Sequence, residues 1–124
     1  MTARTSPRLS FGRDQRLKQA RDFSRTRQEG RRIPCGCLIA NWRILPPAES
    51  SRLGVITTKK LGNAVCRARA RRLLREAFRL HQFHLTQPVD LVLVAQSGIR
   101  GLAFASVEKD FLAAIRRAGL LKPS

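Results

Sequence analysis

Tyrosine is absent from this chain of 124 residues, tryptophan occurs once, and Asp plus Glu number 8 against 25 Lys plus Arg. The eight acids are Asp14, Asp22, Glu29, Glu49, Glu76, Asp90, Glu108 and Asp110. None forms a close pair beside a glycine-rich or apolar pocket sequence, which argues against a protein-only nuclease built on carboxylate-bound Mg²⁺. There is no P-loop, no G-x-S-x-G and no H-x-x-x-H zinc motif. His81 and His84 end a helical stretch and are expected to pack or to face water rather than to act as acid and base. The three cysteines, Cys35, Cys37 and Cys66, are an odd count without a second pair. They suggest reduced thiols packed as small apolar groups in a cytoplasmic protein, not a disulfide framework. Long apolar runs are missing too. The longest, Val89 to Ala95, is interrupted by Asp90 and falls far short of the roughly 18 residues of a membrane span. The N-terminus has no apolar signal core.

What remains is a basic chain with a core. The formal net charge is +17 and hydrophobic residues make up 43%. That is too apolar for a disordered basic tail and enough for one domain. A large positive field on a globular domain points to a polyanion. Residues 1–12 mix Thr, Ser, Pro, Gly and Arg without periodicity and suggest a flexible basic leader. Residues 13–121 suggest a single domain, and residues 122–124 a tail.

Along the domain, Asp14 to Glu29 is dense in helix formers and stops at Gly30. Leu17, Ala20 and Phe23 give it a thin apolar stripe. Ile33 to Leu45 alternates as a strand, with Leu38, Ala40, Trp42 and Ile44 on one face. Pro46, Pro47, Glu49 and Ser50 make a loop. Leu53 to Thr58 predicts a second strand, paired with the first as an antiparallel hairpin. A helix follows from about Ala64 to about His81, then an apolar strand over Val89 to Gln96. Ser106 is expected to N-cap a last helix with Val107, Phe111, Ala114, Ile115 and Ala118 on its core face, ended by Gly119. The local signals thus give helix, strand, strand, helix, strand, helix.

Lys59 to Arg75 reads KKLGNAVCRARARRLLR, with seven basic residues and no acid. At 100° per residue, Cys66, Ala70, Leu73, Leu74, Ala77, Phe78 and His81 share one face. Arg67, Arg71, Arg72, Arg75 and Arg79 fall on the other, with Arg69 at its edge. Like charges four residues apart destabilise a helix by about 0.2–0.5 kcal/mol per pair, and Glu76 can offset only part of this. A merely solvated face usually mixes signs. Arginines kept together without acids point to phosphates in the working state. RNA is favoured over DNA, because no helix-turn-helix or basic zipper is present and an open sheet face suits a single strand. Phe23 and Trp42 are the stacking candidates, although the register of Trp42 with Leu38 and Ile44 favours the core.

The stretch Lys59 to Glu76, KKLGNAVCRARARRLLRE, resembles the signature of the bacterial ribonuclease P protein component: a K-K-x-G-x-A-V opening, an R-N-R triplet and a K/R-R-x-x-R-E run. Arg16, Leu17, Asp22 and Phe23 resemble the family's R-L-x-x-x-x-D-F start, and Gly54 and the Val89 to Ala95 strand fit as well. The resemblance covers about residues 13 to 121. It implies an α+β fold, an α/β sandwich of order α-β-β-β-α-β-α with a four-stranded sheet and a left-handed βαβ crossover.

The same resemblance implies a function. The catalytic RNA partner, with Mg²⁺, hydrolyses the phosphodiester that frees the 5′ leader of precursor tRNA, and the protein carries no catalytic residue or metal site of its own. RNA contact is implied for Lys59, Lys60, Asn63, Arg67, Arg69, Arg71, Arg72, Arg75 and Arg79, with Gly62 and Ala64 in the signature. A cleft for the leader is implied at Phe23, Arg27, Asn41 and Arg43. Two positions depart from the family pattern. Ala68 replaces the amide of the R-N-R triplet, and Arg27 replaces the second cleft aromatic. Neither a membrane nor a protein oligomer is called for. The competing reading is a structural or ribosome-type RNA-binding protein with no catalytic partner.

Overall fold

Three short helices and four strands account for most of the residues that the structure, a computed structural model, describes, namely 16–122. In chain order these are α1 (Ala20–Glu29), β1 (Arg31–Cys35), β2 (Leu38–Ile44), β3 (Arg52–Ile56), α2 (Ala64–His81), β4 (Val89–Ala95) and α3 (Phe104–Arg117). The expected leader, residues 1–12, and the last two residues of the expected tail lie outside the described residues.

The sheet has the order β1-β2-β4-β3. β4 lies antiparallel to β2 and parallel to β3, so β3, α2 and β4 form a crossover unit. This corrects the expected hairpin between the Ile33 to Leu45 and Leu53 to Thr58 segments: β4 inserts between β2 and β3. The reason is hydrophobicity. β4 is almost wholly buried, and a strand apolar on both faces belongs at the centre of a sheet covered on both sides.

The predicted single strand over Ile33 to Leu45 is in fact two strands, folded back at Gly36 and Cys37. Gly36 has φ +57°, a conformation that side chains disfavour, and the space where its Cβ would stand is filled by the Asp110 carboxylate. That carboxylate accepts the Cys37 N–H at 2.9 Å, tying the hairpin to α3. Burial, and then the Asp110 carboxylate, push the Cys37 thiol up to about 12, so it stays a neutral, packed thiol. Ser106 does not cap α3, which begins two residues earlier after Ala103. Its expected core face is correct, with Val107, Phe111, Ala114 and Ile115 buried.

One sheet face carries Leu38, Ala40, Trp42, Leu53, Leu91 and Leu93, packed against Ala70, Leu74, Ala77 and Phe78 of α2 and the apolar side of α3. Trp42 is therefore core. The opposite face is partly covered by α1. The predicted first helix from Asp14 is shorter at its start. Arg16 bridges Leu53 in parallel register, and the Leu17 N–H donates to the Leu53 carbonyl. Leu17 is buried by this strand-like pairing, whereas Ala20 is exposed. The three-residue stripe is thus two separate anchors.

On the α1 side, Arg43, Asp90 and Arg52 are direct cross-strand neighbours. Asp90 is fully buried. It accepts from Arg43 at 2.9 Å and from Arg52 at 2.8 Å through both carboxylate oxygens. Those hydrogen bonds hold the Arg52 guanidinium above its ordinary pKa. Arg52 also stands 3.8 Å from Asp22 of α1. One acid thereby joins three strands, and through Arg52 the helix above them. Asp90→Asn should destabilise the fold by about 3–5 kcal/mol, since it leaves two arginines short of their counter-charge. Urea unfolding measures this, and a loss below about 1 kcal/mol would mean the charge is dispensable.

Candidate nucleic-acid interface

The arginine segment enters its helix through a short 3₁₀ turn, Lys59–Leu61, with Leu61 buried and Lys59 and Lys60 exposed. Asn63 is the N-cap: its side-chain oxygen accepts the Cys66 N–H at 2.9 Å. Its position in the basic motif therefore has a structural cause as well as any contact with RNA. The helix predicted from Ala64 to His81 has those bounds in the structure.

The arginines do not form one uniform face. Arg69 and Arg71 diverge by about 160° around the helix. Arg69 donates to the Leu102 carbonyl on one flank, and Arg71 reaches Thr57 at 2.9 Å on the other. Arg72 is exposed between them. Arg79 takes Glu76 through two hydrogen bonds of 2.8 and 2.7 Å. This pairing draws the Glu76 carboxyl down and the Arg79 guanidinium up from their ordinary values. Arg75 is drawn down, first by burial and then by Arg16 and Arg71 nearby. Val65, 76% exposed, lies on the same helix, and Ala68 is half-buried.

A second candidate surface lies where α1 crosses the open sheet face. A cleft of about 360 Å³ is lined by Phe23, Ser24, Arg27, Gln28, Arg32 and Asn41. Asn41 is buried, and its amide donates to the Val92 carbonyl at 3.4 Å. Arg32, Asn41, Val92 and Gly54 form one row across the four strands. The half-buried Phe23 ring rests on Gly54, where a Cβ would come within 2.5 Å of the ring. Of the expected cleft residues, Phe23, Arg27 and Asn41 come together. Arg43 does not line the cleft, because it is one row away and held by Asp90. Sequence reasoning missed Ser24, Gln28 and Arg32. Arg32 was readable only once β1 was recognised as a strand of its own, since its place in the cleft follows from pairing with Asn41.

The Ribonuclease P family pattern matches residues 11–119. The chain belongs to the ribonuclease P protein family. The ribonuclease P protein component of Gluconacetobacter diazotrophicus is 38% identical over 109 residues, covering 87% of this chain and 94% of the relative. That of Syntrophomonas wolfei is 34% identical over 105 residues, covering 85% and 87%. Among solved structures, the Staphylococcus aureus RNase P protein superposes with a TM-score of 0.79 at 24% identity, covering 87% of this chain and 98% of that one. The Thermotoga maritima RNase P protein gives 0.73 at 25% identity, covering 82% and 96%. The four-stranded mixed sheet with three helices is therefore the family fold, and the chain is the protein component of an endoribonuclease holoenzyme. Among the described residues, no helix is long and apolar enough to cross a membrane.

The packing of Phe23 on Gly54 can be tested directly. Gly54→Ala should force the ring out of its seat and destabilise the protein by about 1–3 kcal/mol, as overpacking does. Chemical unfolding measures the loss, and displaced Phe23 ring signals in NMR spectra identify its source. Unmoved ring signals would show that the sheet yields instead.

Proposed function

We propose that this chain binds two RNA surfaces at once in its holoenzyme. The turn at Lys59 and Lys60 and the arginines of α2 dock on the catalytic RNA. The cleft under α1 receives the single-stranded 5′ leader of precursor tRNA. The observation that carries this reading is the separation of the two surfaces. α2 and its arginines belong to one side of the sheet, and the cleft with its aromatic floor belongs to the other. A protein so arranged can hold a substrate strand against an RNA enzyme without supplying a reacting group.

Phosphate neutralisation by Arg67, Arg71, Arg72 and Arg75 lowers the repulsion between two RNAs. Phe23 offers a face for base stacking, and Arg27 and Arg32 offer charge to the leader backbone. Mg²⁺ acts with the RNA partner in the hydrolysis. The complex works in the cytoplasm, and one copy of the protein suffices. With Arg27 in the place of a second aromatic, leader binding depends more on phosphate than on stacking.

Two outcomes test this. Phe23→Ala should weaken binding of precursor tRNA by about 1–3 kcal/mol and leave mature tRNA, which has no leader, unchanged. Equal losses for both would make Phe23 a packing residue only. Replacing Arg67 and Arg72 with Ala should reduce the slope of log affinity against log salt by roughly 0.7–0.9 for each phosphate that is no longer neutralised. An unchanged slope would mean that the arginines are solvated in the complex. Both measurements require the reconstituted holoenzyme, with the catalytic RNA and Mg²⁺ present.

A further inference from the structure

The far end of α2 holds a group that belongs to neither of the two proposed RNA surfaces. His81 closes the helix, and His84 closes the single 3₁₀ turn, Gln82–His84, that follows. Their Nδ1 atoms stand 3.2 Å apart. On its other side, His81 Nε2 lies 2.7 Å from Glu108 Oε2 on α3. With the hydrogen on Nε2 donated to that carboxylate, Nδ1 of His81 presents a lone pair towards His84. The Phe111 ring lies 6.3 Å from the His81 ring, centroid to centroid.

Two imidazole nitrogens held at 2.0–2.1 Å from one tetrahedral Zn²⁺ are about 3.3 Å apart. The observed spacing is close to that. A carboxylate on the far nitrogen of a ligating histidine fixes its tautomer and raises its basicity. The C-terminal end of an 18-residue helix also favours a cation. Imidazole suits first-row transition ions, whereas Mg²⁺ prefers oxygen.

We propose that His81 Nδ1 and His84 Nδ1 form a two-histidine site for a divalent transition ion of the zinc class, with Glu108 as the residue that positions His81. Among the described residues, no three metal-ligating side chains gather around one point, so water completes the coordination. The exposed His84 ring joins by carrying its hydrogen on Nε2, towards solvent. Loading clips the end of α2 to the following turn and, through Glu108, to α3. Of the cations adjoining this turn in the chain or by contact, Arg79 pairs with Glu76 and Lys122 donates to the Phe83 carbonyl at 3.3 Å.

The test uses the full RNA-free chain, Zn²⁺ as the probe and Mg²⁺ as the comparison. Zn²⁺ should raise the midpoint of thermal unfolding to a plateau and shift the His81 and His84 ring signals in NMR spectra, while Mg²⁺ does neither. His84→Ala should melt like the parent without metal and lose the zinc response. Glu108→Gln should weaken zinc binding by about 10–100-fold. Thiols also bind zinc, so the same titration is run with Cys35→Ser and Cys66→Ser, where the response should persist. The site is refuted if zinc leaves both ring signals unmoved, if the response survives His84→Ala, or if it vanishes with the cysteines.

Discussion

The buried carboxylate of Asp90 is the constraint around which the other parts of this fold are set. It sits in the central strand with no exposure to solvent, and such a charge is tolerated only when it is fully hydrogen-bonded and paired. Arg43 from β2 and Arg52 from β3 meet that demand from either side. The register of the three strands therefore has an electrostatic as well as an apolar determinant. A slip of one residue in any of these strands would turn its charged side chain to the wrong face. Because Arg52 also meets Asp22, the same cluster helps place α1, and with it Phe23 over Gly54.

The arginines around Asp90 and those of α2 differ in how their charge is managed. In the Asp90 cluster, cations are neutralised by an acid and serve the fold. Along α2, among the described residues, the arginine with an acid partner is Arg79, paired with Glu76. Arg69 and Arg71 lean on neutral oxygens, which fix their direction without cancelling their charge. The helix thus presents oriented guanidinium groups whose positive charge those contacts do not cancel, the condition under which such groups pair with phosphate. Arg43 shows how misleading position alone can be. It alternates with the core residues of β2 as a cleft residue would, yet its charge is consumed inside the protein.

Much was legible from local chemistry. The bounds of α2, the core face of α3 and the burial of β4 follow from periodicities that a short window contains. The signature at Lys59 to Glu76 marks the family because each of its features has a local cause: a lysine turn, an N-cap at Asn63 and a run of arginines. Less legible were features that depend on a neighbour. The turn at Gly36 is one glycine inside an apparently continuous strand, and the Asp110 carboxylate that stabilises it lies 73 residues from Cys37. The helix start was misplaced because Leu17 is buried by β3, not by its own helix.

Composition and charge by themselves pointed to a small basic domain with a polyanionic partner, and the basic motif marked its family, since these properties depend only on which residues occur and at what spacing. The tertiary structure decided which arginines are available and which are consumed. It decided that β4 parts β2 from β3, that Trp42 is core, and that Arg32, Gln28 and Ser24 join Phe23, Arg27 and Asn41 in one cleft. Such outcomes depend on long-range pairing: a buried charge must find its counter-charge, and a strand apolar on both faces must find the middle of the sheet. No local window of sequence contains either partner.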